Sequence, residues 1–157
     1  MEYLIVKWLH IVASTFLFGT GVGSAFYFLF ASLHRDPTVI AFVARHVVIA
    51  DWLFTATTMV IQPISGLYLA HLAHWPLSSG WLRWSIALYV VAGLCWLPVI
   101  VLQMRMRDIA AGAAIKGSAL PGRYWRYFTG WFILGIPAFL SFLIIFYLMV
   151  AKPADLA

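Results

Sequence analysis

The chain has 157 residues, of which 64% are hydrophobic and only 10% charged, with a mean hydropathy of +0.96. Soluble domains carry roughly a quarter charged residues, so this composition excludes one and indicates an integral protein of the lipid bilayer. The formal charge of +5 does not imply nucleic acid, because the basic residues flank hydrophobic segments, where the positive-inside effect explains them.

Leu4 to Phe30 is a nearly unbroken apolar run that makes about 40 Å of helix, enough to span with tilt. It is too long for the hydrophobic region of a signal peptide. Arg35-Asp36-Pro37 breaks the chain, and Thr38 is the expected cap of a second span over 39–71. His74 to Gly80 reads as an interfacial loop, and a third span follows over 84–103. From Met104 to Arg126 the composition shifts to charge, alanine and glycine, which predicts a surface loop with an amphipathic turn. The fourth span, 128–150, is stopped by Lys152-Pro153. Cys95 is alone, so no intrachain disulfide or thiolate cluster forms, and it reads as a small buried hydrophobe.

The fold expected is all-α: an antiparallel, up-down four-helix bundle forming one transmembrane domain. Arg35, Arg45, Arg105, Arg107, Lys116, Arg123 and Arg126 fall on one side, and Lys7, Arg83 and Lys152 on the other. That asymmetry places both termini on the periplasmic side of a bacterial inner membrane.

The most informative stretch is Asp51 to Gly66. At 100° per residue Asp51, Thr55, Thr58, Gln62 and Ser65 form one stripe along the second span. A carboxylate at mid-bilayer costs about 2.5 to 3.5 kcal/mol on insertion scales, so the stripe is expected to face protein or water. Gln62-Pro63 opens the helix ladder and frees a carbonyl near residue 59. In the first span Lys7, His10, Ser14, Leu17, Gly21 and Ser24 share a face that should meet this stripe. Equal-depth counting through the short turn puts His10 near Gln62, Gly23 near Asp51, and Gln103 near Asp51. Arg45 or Arg105 is a further expected partner of Asp51, and Gly19, Gly21 and Gly23 suggest close helix contact.

His10 suits an axial haem ligand or a metal ligand, copper included, because neutral imidazole is a common nitrogen donor; a plain hydrogen-bonded histidine is the competing reading. His71 approaches His10 only if the Pro63 kink swings the outer half of the span inward. His34, His46 and His74 are weaker candidates. Trp96 is the tryptophan placed to line a cofactor pocket, the others forming mainly an aromatic belt. Asp51, Gln62 and Gln103 are the groups expected to carry chemistry or line a path.

Lys7-Trp8-Leu9-His10-Ile11, Asp51-Trp52-Leu53-Phe54-Thr55, Gln62-Pro63-Ile64-Ser65-Gly66, Cys95-Trp96-Leu97-Pro98-Val99 with Gln103, and Leu148 to Pro153 resemble a bacterial family of uncharacterised four-span membrane proteins. That family is similar to CopD-type copper-resistance proteins and HemJ-type protoporphyrinogen oxidases, in which a basic residue, an apolar pair and a histidine open the first helix. The resemblance implies haem b on His10 and an oxidoreductase relationship. No lysine occurs in the third span, where the HemJ type carries a functional residue, so a shared haem-binding bundle is what the resemblance implies.

Three functions are therefore expected, in this order. The first is a haem-b redox or electron-transfer protein working with a quinone or porphyrin. The second is membrane transport or handling of a small solute, copper or protons, and the third is a structural subunit of a homo-oligomer or larger membrane complex.

Overall fold

Thirty-two residues free of proline give the first helix, α1 (Glu2–Leu33). A computed structural model of the chain describes residues 1–153. Arg35 takes a positive φ of 60° in the turn that follows. The second span begins at Pro37, which suits a first helical position because its missing N–H has no partner there anyway. Its cap is Asp36 rather than Thr38: the Asp36 carboxylate accepts from the Thr38 N–H at 2.8 Å. The charged side chain one residue before Pro37 reaches the orphan N–H groups, while Thr38 is already helical.

That span is not uniform. It comprises α2 (Pro37–Ala50), a π-helical turn (Asp51–Thr55) and α3 (Ala56–Leu72). In the π turn the Ala56 N–H bonds to the Asp51 carbonyl, five residues back. Such insertions widen the helix locally and recur at functional sites.

The third span, α4 (Gly80–Lys116), is much longer than expected. Its extension replaces the surface loop expected from Met104 onward. Methionine, arginine and alanine are good helix formers, and Met106, Ala110 and Ala113 recur at helical spacing on a buried face. The helix ends at Gly117 in a left-handed conformation (φ 59°), with Ser118 N–H returning to the Ala113 carbonyl. The connection therefore shrinks to a few residues before α5 (Gly122–Ala151).

At 1.5 Å per residue each of the four spans exceeds the roughly 30 Å of a hydrocarbon core. Large apolar residues such as Trp8, Phe26, Leu53, Leu94 and Ile133 cover their outward faces. In water that surface would be a heavy penalty; against acyl chains it is the matching solvent. The described residues are all helix and connection, with no strand among them.

Packing is concentrated at the two ends of the bundle. Near the α1–α2 turn, Phe28, Ile40, Ala44, Met106, Ala110 and Tyr124 interdigitate, and Ser32 and Tyr124 share a buried 2.7 Å hydrogen bond. At the end carrying the termini, Ala70, Trp81, Leu82 and Leu148 form a smaller cluster. There Lys152 lies 3.9 Å from the centre of the Trp75 ring, tying the end of α5 to the α3–α4 loop.

Candidate functional site

The polar stripe of the second span faces inward, as its periodicity requires. Asp51, Thr55 and Thr58 are buried, and Gln62 and Ser65 are half-buried. The Thr55 hydroxyl donates to Asp51 Oδ1 at 3.1 Å, and the Gln103 side chain from α4 lies alongside, lining the same cavity. Gln103 Oε1 is buried with no partner. No arginine takes part: Arg105 lies over the Tyr127 ring, and among the described residues the one salt bridge is Arg107–Asp108. The arginines stay at the headgroup end of their helices, where their charge remains hydrated.

Asp51, Thr55 and Gln103 line a cavity of about 340 Å³ in the middle of the bundle. Met59, Ala92, Trp96 and Val99 continue its floor, and Trp131 closes one end. The remaining wall is apolar and comes from α1 and α5. Val22, Phe132, Ile136 and Phe139 line it while also being exposed on the bundle surface. The α1 and α5 backbones hardly approach each other. They meet through long aromatic side chains: Phe18 stacks with Phe139 at 5.7 Å and meets Phe146 at 5.1 Å, and Phe28 meets Trp131 at 5.2 Å. Between these two aromatic contacts the cavity opens sideways toward lipid.

The α1 glycines do not pack against a neighbouring helix. A Cβ at Gly19, Gly21 or Gly23 would meet nothing within 4 Å. The expected close helix contact at these glycines is thus absent, and Gly21 instead lines the cavity. Trp96 also lines it, where the sequence placed it, and its Nε1–H is buried without a partner.

Pro63 frees the Met59 carbonyl, and Tyr89 takes it: the phenol donates to Met59 O at 2.7 Å. This closes the wall between α3 and α4 with a polar contact that satisfies the broken ladder. The role of Tyr89 is not visible in the sequence, although the vacancy it fills is.

His10 lies outside the cavity lining. Its Nδ1 is 2.7 Å from Ser65 Oγ, about one turn beyond Gln62, its expected neighbour. The inserted π turn contributes to that offset, because an extra residue moves every later partner along the helix. Gln62 Oε1 is buried without a partner. Ser65 also donates to the Ile61 carbonyl at 2.7 Å. Which of His10 Nδ1 and Ser65 Oγ donates follows the tautomer of the ring. Gly66 makes room for the ring: a Cβ there would stand 3.2 Å from His10 Cε1.

His71 is exposed on α3 and has no side-chain hydrogen bond among the described residues. His46 Nδ1 bonds back to the Phe42 carbonyl at 2.8 Å. Among the described residues no three His, Cys, Asp or Glu side chains gather as a metal site. The two groups of candidate residues thus sit at separate levels. Asp51, Gln103 and Trp96 are at the cavity, while His10 and Gln62 lie nearer the termini.

A comparison with curated proteins and with solved structures gave no match in either. A family model does match, spanning all four helices and every residue of both levels: over residues 4–153 the chain belongs to the DUF2269 family, predicted integral membrane proteins.

Proposed function

We propose that this protein binds a small, mainly apolar molecule carrying polar groups, within the bilayer, in the cavity between the four helices. The observation that carries the reading is the chamber itself: about 340 Å³, walled almost wholly by apolar side chains and bordered by Asp51, Thr55 and Gln103. Mostly apolar walls with a few convergent polar groups are the usual form of a small-molecule site. The sideways opening between α1 and α5 suits a molecule already dissolved in the membrane.

The arginine-rich end faces the cytoplasm under this reading, as the charge asymmetry favours, which corresponds to a bacterial inner membrane. Purified wild-type protein should carry a lipophilic molecule that organic extraction and mass spectrometry detect. Gly21→Leu, which fills the chamber from α1 where a Cβ meets nothing within 4 Å, should lose it while keeping its helical content. Equal amounts of the same molecule on both proteins would end the proposal.

The haem reading has a narrower base. Ser65 Oγ holds His10 Nδ1 at 2.7 Å, the kind of contact that orients a ligating imidazole. The nearest cavity-lining residue of α1 is Leu17, seven residues or about 10 Å further along the helix. The haem reading therefore draws on His10 alone and gains no support from the chamber. A Soret band lost in His10→Ala would reinstate this reading.

A further inference from the structure

We infer that Arg105 and Arg123, which converge on Tyr127 at the arginine-rich end of the bundle, hold the phosphate of an anionic phospholipid whose acyl chain lies along α4. This site is separate from the chamber and does not depend on what the chamber binds.

The register of α4 against α5 builds the cluster. Leu102 of α4 packs at Gly130 of α5, where a Cβ would stand 3.5 Å from Leu102 Cδ1. The two helices follow each other through a short connection and run antiparallel, so an equal step forward along α4 and back along α5 pairs Arg105 with Tyr127. The Arg105 guanidinium lies 5.7 Å from the centre of the Tyr127 ring, and that of Arg123, one turn earlier on α5, lies 5.2 Å from the same centre. Attraction to one ring restrains both cations. The Arg123 Nε–H also donates to the Tyr127 phenol oxygen at 2.8 Å.

What the cluster offers a ligand is donors. A guanidinium donates from every nitrogen and accepts nowhere, and the phenol that accepts from Arg123 still has its own proton to give. Both arginines are exposed. No carboxylate offsets them, because each acidic residue among the described ones is engaged elsewhere: Glu2 with Tyr68, Asp36 at the start of α2, Asp51 with Thr55, and Asp108 with Arg107. Two like charges held at one ring repel, and an anion shared by both removes that repulsion.

The rest of the α4 face favours a lipid over a free phosphate. Val101, Leu97 and Leu94 continue from Arg105 at helical spacing, and all three are exposed. A headgroup held at Arg105 therefore has a strip of apolar surface along which its chain can lie. A zwitterionic headgroup brings a cation that the guanidiniums repel, so the site prefers a headgroup of net negative charge.

Native mass spectrometry of the full-length protein in micelles measures the affinities of phosphatidylglycerol and phosphatidylcholine with identical acyl chains. Wild type is expected to bind phosphatidylglycerol at least about tenfold more tightly. Arg123→Gln should cut that preference about fivefold, whereas Arg107→Gln, which removes the same charge from a residue already paired with Asp108, should leave it in place. Equal affinity of wild type for the two lipids would overturn the inference, whether or not either variant folds. An equal loss of preference in Arg107→Gln would overturn it too, by showing that total charge rather than this cluster selects the lipid. Displacement of phosphatidylglycerol by an equimolar amount of inorganic phosphate would overturn the lipid assignment, since a soluble anion would then bind as well without a chain.

Discussion

Tyr89 and Pro63 should be energetically coupled although they never touch. Proline at position 63 removes the N–H that would have bonded to the Met59 carbonyl, and the Tyr89 phenol replaces it at 2.7 Å. Tyr89→Phe leaves that carbonyl unsatisfied at bilayer depth, at a cost of about 1 to 3 kcal/mol. In a Pro63→Ala background the helix supplies its own N–H to Met59. Losing the phenol should then cost about 0.5 to 1.5 kcal/mol, the net worth of an ordinary hydrogen bond, or less. A double-mutant cycle should therefore give a coupling energy of about 1 kcal/mol or more. Reversible unfolding in mixed micelles, followed through the tryptophans, supplies the four free energies. Equal losses for Tyr89→Phe in both backgrounds would refute the claim that Tyr89 repairs the proline break.

Two further outcomes follow from the packing. Gly66→Ala puts a methyl 3.2 Å from His10 Cε1, so it should destabilise by about 1 kcal/mol, and most of that loss should vanish in a His10→Ala background; an additive pair would show that the ring and Gly66 are not in contact. Tyr124→Phe removes one half of the buried Ser32–Tyr124 hydrogen bond and should cost about 1 to 3 kcal/mol in the same unfolding assay, with Ser32→Ala in that background adding little.

Periodicity made much of this architecture legible. The stripe from Asp51 to Ser65 lies inward because burying a carboxylate and hydroxyls against protein is cheaper than exposing them to lipid. The same logic brought Gln103 beside Asp51, and the carbonyl that Pro63 frees was foreseeable from covalent structure alone. Composition misled in the Met104 to Lys116 segment. Its charges suggested a loop, while the spacing of Met106, Ala110 and Ala113 carried the helical signal that prevailed. Glycines in α1 looked like a packing motif, yet what surrounds an absent side chain is decided by the neighbouring helices, and here that is open space. The π turn, the Tyr89 contact and the Ser65 partner of His10 all depend on the tertiary register of two helices. Turn counting cannot see an inserted residue. The partnerless state of Trp96 Nε1 and Gln103 Oε1 was likewise invisible, because it is a property of what lies opposite rather than of the residues themselves.

The most direct test is an experimental structure of the protein in lipid nanodiscs, at a resolution that shows side chains and bound lipophiles. Non-protein density is expected in the central chamber, against Gly21, Trp96 and Phe139 and reaching the bilayer between α1 and α5. A chamber collapsed by repacking of Phe18, Phe132 and Phe139 would contradict the assignment of a ligand to this site.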